Sequence, residues 1–322
     1  MNLRSGATAM ADILIVNWNS GKQLASCLRS IEAFGAGLVA RVIVVDNGSV
    51  DGSADVAAPA LPLEIIRTGR NLGFGAACNL GARAGSAPYL LLLNPDAELR
   101  DGTLPRAVAH LDAPGHERVG VVGVKLVGEG DVVHRHAARL PDWRSFVGNS
   151  VGLFRVAPRW AKPIPLEEFD HLSDRSVDHV MGAFYCIRRS LFEGVGGFDE
   201  AFFLYMEDLD LSLRVARAGY RIDYLSGVAA FHRQGGTSDQ VRARRLANIM
   251  ESNIVYAWKH FRAPEAAAVT AATLVAEPAS RAARAVLNRS PADAGATLAA
   301  AWMLYRALPR VWRRARGVRQ SG

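Results

Sequence analysis

At 322 residues, half of them hydrophobic, the chain can bury a substantial core as one large domain or one domain with an appendage. Its net charge of +7 is unevenly placed: residues 257–322 carry eleven Lys/Arg against Glu265, Glu277 and Asp293, a surplus of +8 that leaves −1 for residues 1–256. The basic tail points toward anionic lipid or nucleic acid, and the near-neutral body excludes a protein built around a nucleic-acid groove.

The first half alternates strand and helix signals. Ile13-Leu14-Ile15-Val16 is an unbroken apolar run that ends in Asn17-Trp18-Asn19, and Ser20 is placed to cap a helix carrying Leu24, Cys27, Leu28 and Ile31. Val42-Ile43-Val44-Val45 ends in Asp46-Asn47-Gly48-Ser49 and a turn-rich stretch to Ser53, after which a short helix is predicted. A third strand near Leu63-Glu64-Ile65-Ile66 leads to Asn71-Leu72-Gly73-Phe74-Gly75 and a small-residue helix over 76–84. The fourth, Leu90-Leu91-Leu92-Leu93, empties into Asn94-Pro95-Asp96. Such alternation predicts a doubly wound, mainly parallel sheet. Ligands bind beyond the carboxyl ends of such strands, so an acid there is a candidate for a metal or a phosphate-bearing ligand.

Residues 119–127 read as another strand, and 128–176 hold Pro, Gly and charge without a clear period, the mark of a functional loop or an acceptor-side insertion. Regularity returns at Val180–Ile187, followed by a helix from Ser190. Glu207-Asp208-Leu209-Asp210 then opens a helix on which Leu209, Leu213 and Ala216 keep helical spacing. In the tail, Pro264 and Pro278 frame an Ala-rich helix and residues 292–308 form another, with a kink predicted at Pro309. On that last helix Leu298, Trp302, Tyr305, Leu308 and Trp312 fall on one side and Arg306, Arg310, Arg313 and Arg314 on an adjacent one. A basic amphipathic helix with aromatic residues suits an anionic membrane surface, the alternative being a hairpin packed on the body or on another subunit of a homo-oligomer. The division drawn is a body of residues 1–261 and a helical extension of residues 262–322.

Cys27, Cys78 and Cys186 lie far apart and form no CxxC pair, which fits reduced cytoplasmic thiols and argues against a thiolate metal site. No apolar segment of signal-peptide length precedes Asp12, and no run reaches the ~18 apolar residues of a spanning helix. The expected location is cytoplasmic, with peripheral contact to the inner face of the plasma membrane through the C-terminal helices.

Seven short motifs follow one another in the order of a known family. They are Asn17-Trp18-Asn19; Asp46-Asn47-Gly48-Ser49 with Asp51-Gly52; Asn71, Gly73, Gly75 and Asn79; Asn94-Pro95-Asp96; Gly197-Phe198-Asp199-Glu200 with Phe202-Phe203; Glu207-Asp208 with Asp210; and His232 with Gly235-Gly236-Thr237-Ser238. Over residues 12–260 the chain resembles the inverting family 2 glycosyltransferases of the GT-A fold, in particular the bacterial rhamnosyltransferase-like branch. The resemblance implies a Rossmann-like α/β fold with a mainly parallel sheet, plus a helical extension. It also implies a nucleotide-sugar donor (dTDP- or UDP-linked, L-rhamnose first), a lipid-linked or glycan acceptor, and Mg²⁺ or Mn²⁺, with no nucleic-acid partner.

Glycosyl transfer makes three demands on these residues. An acceptor-only carboxylate such as Asp46 suits the imide N–H of uracil or thymine, and Asn17 or Asp51 suits nearby hydroxyls or phosphate. The resemblance makes Asp46 the nucleotide-binding acid and extends the donor site to Asn19, Asn47, Asn71, Gly73, Asn79 and Asn94. Read alone, Asp46-Asn47-Gly48-Ser49 is also an ordinary turn. The diphosphate leaving group needs its charge offset, for which the resemblance supplies Asp96 and His232 as metal ligands. The family often carries an acid two residues before Asp96, where this chain has Asn94, and a histidine after an apolar strand is also a common structural residue. Gly235-Gly236-Thr237-Ser238 can offer backbone N–H groups to phosphate. Inversion needs a base for the acceptor hydroxyl, and the resemblance assigns Asp208, with Glu207 beside it in the acceptor site. Acids in a first helical turn also serve simply as dipole partners.

Gly73-Phe74-Gly75 lacks the third glycine of a dinucleotide fingerprint, and packing is the reading for Trp143, Trp160 and Trp258. Two competing functions are a nucleotidyltransferase-like enzyme, which would carry a Gly-rich basic loop after its first strand, and a non-catalytic glycan-binding protein, which has no use for Asp208 beside a metal site.

Overall fold

The structure, a computed structural model, describes residues 10–35, 37–233 and 242–320. The first half is built from β1 (Ala11–Asn17), α1 (Gln23–Phe34), β2 (Val39–Asp46), β3 (Leu63–Arg67), α2 (Phe74–Ala82) and β4 (Tyr89–Leu93). Next come β5 (Ala97–Leu99), α3 (Thr103–Asp112), β6 (Val119–Val127), and the short β7 (Val133–His134) and β8 (Ala137–Ala138). After α4 (Trp143–Val151) follow β9 (Arg175–Val177), β10 (His179–Val180), β11 (Phe184–Arg188), α5 (Arg189–Gly194), α6 (Glu207–Arg217) and β12 (Arg221–His232). The chain closes with α7 (Arg242–His260), α8 (Ala263–Ala271), a π-turn, α9 (Glu277–Leu287) and α10 (Pro291–Gln320).

The main sheet runs β3-β2-β1-β4-β11-β6-β12-β5, with β7 beside β6 and β9 beside β12. Strands β3, β2, β1 and β4 are mutually parallel, as are β6 and β12, while β11 enters antiparallel between β4 and β6. The apolar runs form strands because both faces are covered. Ile13, Ile15, Val42, Val44, Leu91 and Leu93 join α1 in one core cluster, and their neighbours Leu14, Val16, Ile43, Val45, Leu90 and Leu92 join α2 in the other. Helix α2 is made of small residues for a steric reason: a Cβ at Gly81 would lie 2.2 Å from Leu14 Cδ1.

A buried ion pair pins the amino end of β1. Arg189 Nη2 lies 2.7 Å from Asp12 Oδ2, and the same guanidinium donates to the carbonyls of Ala87 (2.7 Å) and Ala82 (2.8 Å). Asp12 also accepts the Ala87 N–H at 2.8 Å, so β1, the α2–β4 turn and α5 share one polar knot.

Four local expectations are corrected. Ser20 does not cap α1 with its side chain; its hydroxyl donates to Asn17 Oδ1, and only its carbonyl meets the Gln23 N–H at 3.0 Å. No helix follows Ser53, because Asp51 and Gly52 satisfy the backbone as turns and residues 58 and 61 each precede a proline. The segment 180–187 is not continuous: β10 pairs with β8, and β11 begins only at Phe184. Helix α10 does not end at residue 308 but runs from Pro291 to Gln320 with Pro309 inside it, on an exposed face where water can serve the carbonyl it leaves.

Contacts divide the chain into two compact units, Met1–Arg139 with Pro165–Asp199 and Asp208–Thr237, and Leu140–Ile164 with Glu200–Glu207 and Ser238–Gly322. The first contains the whole sheet. The second takes in α4 and α7 as well as the tail, so it begins upstream of the compositional boundary at 261/262. In it Phe146 packs on Tyr256 and Phe261, Trp143 on Trp160, and Trp258 on Trp312, which are packing roles for the tryptophans. The three cysteines are buried and form no disulfide.

Two buried histidines make the sheet unit sensitive to acid. His171 Nε2 accepts the backbone N–H groups of His136 (3.1 Å) and Ala137 (3.0 Å) while its Nδ1 lies 2.9 Å from the Phe169 carbonyl, so its bonds require the neutral ring. Burial, and then the neighbouring His171, pushes the His136 pKa down to about 3. The unfolded chain therefore takes up a proton first as pH falls. The stabilising contribution is complete above pH ~6.5 and is lost toward pH ~3, at up to ~1.4 kcal/mol per pH unit for His136. Urea melts at pH 7, 6 and 5 should show this decline, and His136→Gln should flatten it by about one proton; an unchanged slope would place the acid sensitivity elsewhere.

Candidate active site

The register of the first two strands sets Asn17 opposite Asp46, so both polar ends arrive at one level. Asn17 is fully buried, and its Nδ2 is shared among Ser53 Oγ (2.9 Å), Ser49 Oγ (3.1 Å) and Asp46 Oδ1 (3.3 Å). Its amide is thus spent on holding the loop after β2. Asn19 adopts a left-handed φ of 49° and accepts the Val50 N–H at 2.8 Å. Asp46 is 5 % exposed, with Arg67 at 3.7 Å from its Oδ2. Asp51 is exposed; burial acts to raise its pKa, but hydrogen bonds from Ser53 and Gly21 outweigh this and hold it below the usual range.

A second loop is stitched to the first. Asn47 Nδ2 donates to Asn71 Oδ1 and to the Gly73 carbonyl, both at 3.2 Å, and Asn47 Oδ1 accepts the Leu72 N–H at 2.8 Å. Gly48 is required where the loops cross: its φ is +81° and a Cβ would lie 2.7 Å from the Arg70 carbonyl carbon. Gly73, at φ 90°, starts α2. Asn79 stands apart from these loops in its bonding, since its amide donates to the Phe198 carbonyl (2.8 Å) and accepts the Phe198 N–H (2.9 Å).

Beyond β4, Asn94 donates its N–H to the Ala183 carbonyl (3.1 Å) and its carbonyl accepts the Ala97 N–H (3.0 Å), closing the Asn94–Ala97 turn. Strand β5 then pairs with β12 with Ala97 opposite His232, which brings Asp96 Oδ1 to 3.4 Å from His232 Nε2. His232 is 5 % exposed and its Nδ1 has no hydrogen-bond partner among the described residues. One carboxylate and one imidazole fit Mg²⁺ or Mn²⁺ as a partial donor set to be completed by phosphate and water oxygens. Among the described residues no group of three or more His, Cys, Asp or Glu forms a cage by itself. The Gly235-Gly236-Thr237-Ser238 loop lies outside the described residues.

Helix α6 opens after Tyr205 and Met206, two consecutive non-glycine residues at φ 70° and 66°, a strained entry of the kind found where a side chain must be aimed. Glu207 is buried. Asp208 keeps 22 % of its side chain accessible, accepts the Gly182 N–H at 3.1 Å and lies 3.7 Å from His179 Nε2. His179 in turn sits 2.9 Å from Ser212 Oγ, which is 3.1 Å from the Tyr185 hydroxyl. Burial lowers the His179 pKa against the pull of Asp208 and Asp178. Asp210 is fully buried and bound to Arg214 at 2.8 Å, which removes it from chemistry. Gly182 and Ala183 link the two halves of the site: one holds Asp208, the next binds Asn94.

His179, Gly182, Ser49 and Ser53 were not legible as site residues. Ser49 stands inside a quoted motif but carried no role of its own, the other three lie outside every motif, and only the fold of the β10–β11 segment brings His179 and Gly182 to Asp208.

Solved structures share this architecture at low identity. Mannosyltransferase PcManGT from Pyrobaculum calidifontis, in complex with GDP-Man and Mn²⁺, aligns at TM-score 0.51 and 20 % identity, covering 96 % of this chain and 83 % of that one. S. aureus TarS 1-349 in complex with UDP-GlcNAc aligns at 0.52 and 17 %, covering 97 % and 91 %. The fold is the GT-A type of glycosyltransferases. The chain belongs to glycosyl transferase family 2, whose model matches residues 12–196, as its motifs led us to expect, and it is a glycosyltransferase. Over 263 residues it is 30 % identical to the N-acetylglucosaminyl-diphospho-decaprenol L-rhamnosyltransferase of Mycobacterium tuberculosis (strain ATCC 25618 / H37Rv), covering 77 % of this chain and 84 % of that protein. It is 32 % identical to rhamnosyltransferase WbbL of Escherichia coli (strain K12) over 146 residues, 45 % of this chain and 52 % of that one.

Replacing Asn17 by Leu keeps the branching of the side chain but removes the one group that bonds Ser20, Ser49, Ser53 and Asp46 together. We expect a loss of about 1–3 kcal/mol and, in native-state hydrogen exchange, early exposure of the Ser49 and Val50 amides. Protection equal to wild type at those amides would show that Asn17 does not hold the loop.

Proposed function

We propose that the enzyme is an inverting transferase that moves L-rhamnose from dTDP-L-rhamnose to a lipid-linked or glycan acceptor in cell-wall or surface-glycan synthesis. The observation that carries the catalytic half is the position of Asp208: partly accessible, hung from the Gly182 N–H, and joined through Ala183 to the Asn94-Pro95-Asp96 turn. The choice of sugar and acceptor is supported by the two rhamnosyltransferases it resembles, one of them named for a diphospho-decaprenol acceptor.

In this reading the nucleotide lies over the ends of β1 and β2. Asp46 accepts the imide N–H of thymine, with Asn19, Asp51, Asn71 and Asn94 available to ribose and phosphate oxygens, while Asn17, Asn47 and Gly73 keep the two loops in place. Asn79 serves by fixing α2. Asp208 takes the proton of the acceptor hydroxyl as its oxygen attacks the anomeric carbon from the face opposite the diphosphate; the C–O bond to the diphosphate breaks, and configuration inverts. The Gly182 N–H orients the Asp208 carboxylate, His179, its pKa lowered by burial, stands 3.7 Å from it, and Glu207 lies beside it toward the acceptor. Asp96 and His232 would hold Mg²⁺ or Mn²⁺, which when bound offsets the charge gathering on the leaving diphosphate. Among the described residues no helix is long and apolar enough to cross a membrane, and the C-terminal helices are proposed to bring the enzyme to the inner, anionic face of the plasma membrane, where a lipid-linked acceptor resides.

Thermal stabilisation across dTDP-, UDP- and GDP-sugars tests the donor, since a ligand of the native state raises stability by mass action. The expected result is a shift specific to dTDP-rhamnose that is enlarged by Mn²⁺ or Mg²⁺ and reduced by chelator; a larger, metal-independent shift with a GDP-sugar would overturn both choices. Asp208→Asn should lower kcat by about 10²–10⁴-fold and leave donor affinity unchanged. Turnover at the wild-type rate would remove Asp208 as the base, and wild-type protein that binds donor without ever transferring sugar would favour the glycan-binding alternative.

A further inference from the structure

The middle of the irregular stretch 128–176, residues 143–162, serves none of the donor, metal and base roles assigned above. It folds into a compact tip. Helix α4 ends at Gly152, which reverses the chain at φ 71°, and linked turns follow: the Arg155 N–H meets the Gly152 carbonyl at 3.2 Å, the Ala157 N–H the Leu153 carbonyl at 2.8 Å, and the Ala161 N–H the Ala157 carbonyl at 3.1 Å. They return the chain to its starting point. A Cβ at Gly148 would lie 2.3 Å from Ala161 Cβ, and Trp160 packs edge-on against Trp143 with ring centres 5.7 Å apart. A surface loop whose ends meet and whose own side chains fill it is an Ω-loop, a form that often carries function, and none of residues 151–160 at its tip is buried.

The tip shows water two kinds of side chain. Val151, Val156 and Trp160 are 46 %, 81 % and 40 % exposed. Arg155 and Arg159 stand among them, with Arg144 and Lys162 at the base, and all four cations are exposed. Arg155 lies over the Phe154 ring at 5.4 Å and Arg144 over the Trp143 ring at 5.5 Å. The one carboxylate in residues 140–164 is Asp142, which is spent on capping α4 through the Ser145 N–H at 2.9 Å and the Ser145 hydroxyl at 3.1 Å. Among the described residues none of the four cations is ion-paired to a carboxylate. Single exposed valines are ordinary and so are solvated arginines, but one loop that gathers both and carries no acid at its tip is an interaction surface.

From this juxtaposition we propose that the 143–162 loop is a docking surface for a membrane of anionic lipid, with Val151, Val156 and Trp160 entering its interfacial region and Arg144, Arg155, Arg159 and Lys162 meeting lipid phosphates. Charge complementarity selects this partner. Four cations against Asp142 give residues 140–164 a net charge of +3, which repels a second copy of the same loop and is drawn to an acidic leaflet. The exposed valines and tryptophan favour lipid over a purely polar polyanion, and arginines that lie on aromatic rings hold apolar body and charge at one depth, as an interface requires. The proposal rests on the membrane reading above, names a surface other than the C-terminal helices, and is independent of donor, metal and base.

Sedimentation of the full chain with vesicles, without sugar donor or acceptor, tests it. Binding is expected to equal mixtures of phosphatidylcholine and phosphatidylglycerol and not to phosphatidylcholine alone. The double change Arg155→Ala, Arg159→Ala should weaken it about twentyfold, and Val156→Ser should weaken it as well. Loss in the charge-matched pair Arg313→Ala, Arg316→Ala on α10, with the Arg155/Arg159 pair binding as wild type, would overturn the loop and leave the membrane reading standing; no binding of the wild type to acidic vesicles would overturn both. A second readout does not depend on affinity or on the alanine pair folding. Val156→Cys carrying an environment-sensitive fluorophore, the native cysteines being buried, should shift its emission to the blue on acidic vesicles, and an unshifted spectrum from protein that sediments with them would overturn the proposal. Self-association that Val156→Ser abolishes, without vesicle binding, would assign the surface to a second copy and overturn the lipid.

Discussion

The Asp12–Arg189 pair is the interaction on which the sheet unit turns. An ion pair this deep is held only if its remaining hydrogen bonds are satisfied, and here Arg189 meets two carbonyls and Asp12 a backbone N–H. The cost of leaving either charge alone would be severe, so the pair fixes the register of β1 against β4 and the entry to α5. A Cβ at Gly85 would strike Asp12 Oδ2 at 2.2 Å, which shows how closely the α2–β4 turn is drawn in. β1 therefore carries a polar anchor at each end, Asp12 at the start and Asn17 at the finish, with only apolar residues between them.

Fixing one end of β1 decides what happens at the other. Because Asn17, Asp46 and the turn after β4 end their strands at set heights, the loops that follow need only short-range bonds to converge, and Asn47 supplies most of them. The result is a preorganised rim: side chains that would gain entropy in a free loop are already committed before any ligand arrives. The other wall of the site obeys a different rule. Two left-handed residues precede α6, a conformation that costs non-glycine residues energy, and the helix itself is tied by the buried Asp210–Arg214 pair and by the Gly182 N–H on Asp208.

Much of this was readable from residues alone, and the reason is periodicity. The apolar runs at 13–16, 42–45, 90–93 and 119–127 are buried on both faces, so no alternation was needed to find them, and each polar tail marked the edge where the rim would form. What escaped were features made by tertiary pairing. Asn79 carries a donor-site motif position yet bonds to Phe198, 119 residues away. His179 has no motif and reaches Asp208 only because β10 leaves the main sheet to pair with β8. Ser20 had the right type and place for a helix cap, but the buried Asn17 amide offered its hydroxyl a better-shielded partner.

The tail shows the same competition from the opposite side. Its aromatic residues divide by burial: Trp312 packs on Trp258 at 5.6 Å, whereas Trp302 and Tyr305 stay outside. Alanine explains the division, because the Ala300–Leu304–Ala307–Val311 stripe lets α10 lie close to α7, and no large side chain on that stripe is needed to fill the gap. The arginines divide as well. Arg310 and Arg314 converge on the buried Glu251, with Arg310 bound to both carboxylate oxygens at 3.0 and 3.1 Å, and are consumed in holding the helices together. On α7 and α9 the ion pairs differ in reach: Glu277 holds Arg281 at 2.8 Å from one turn away, and Asp293 of α10 lies 3.9 Å from Arg242.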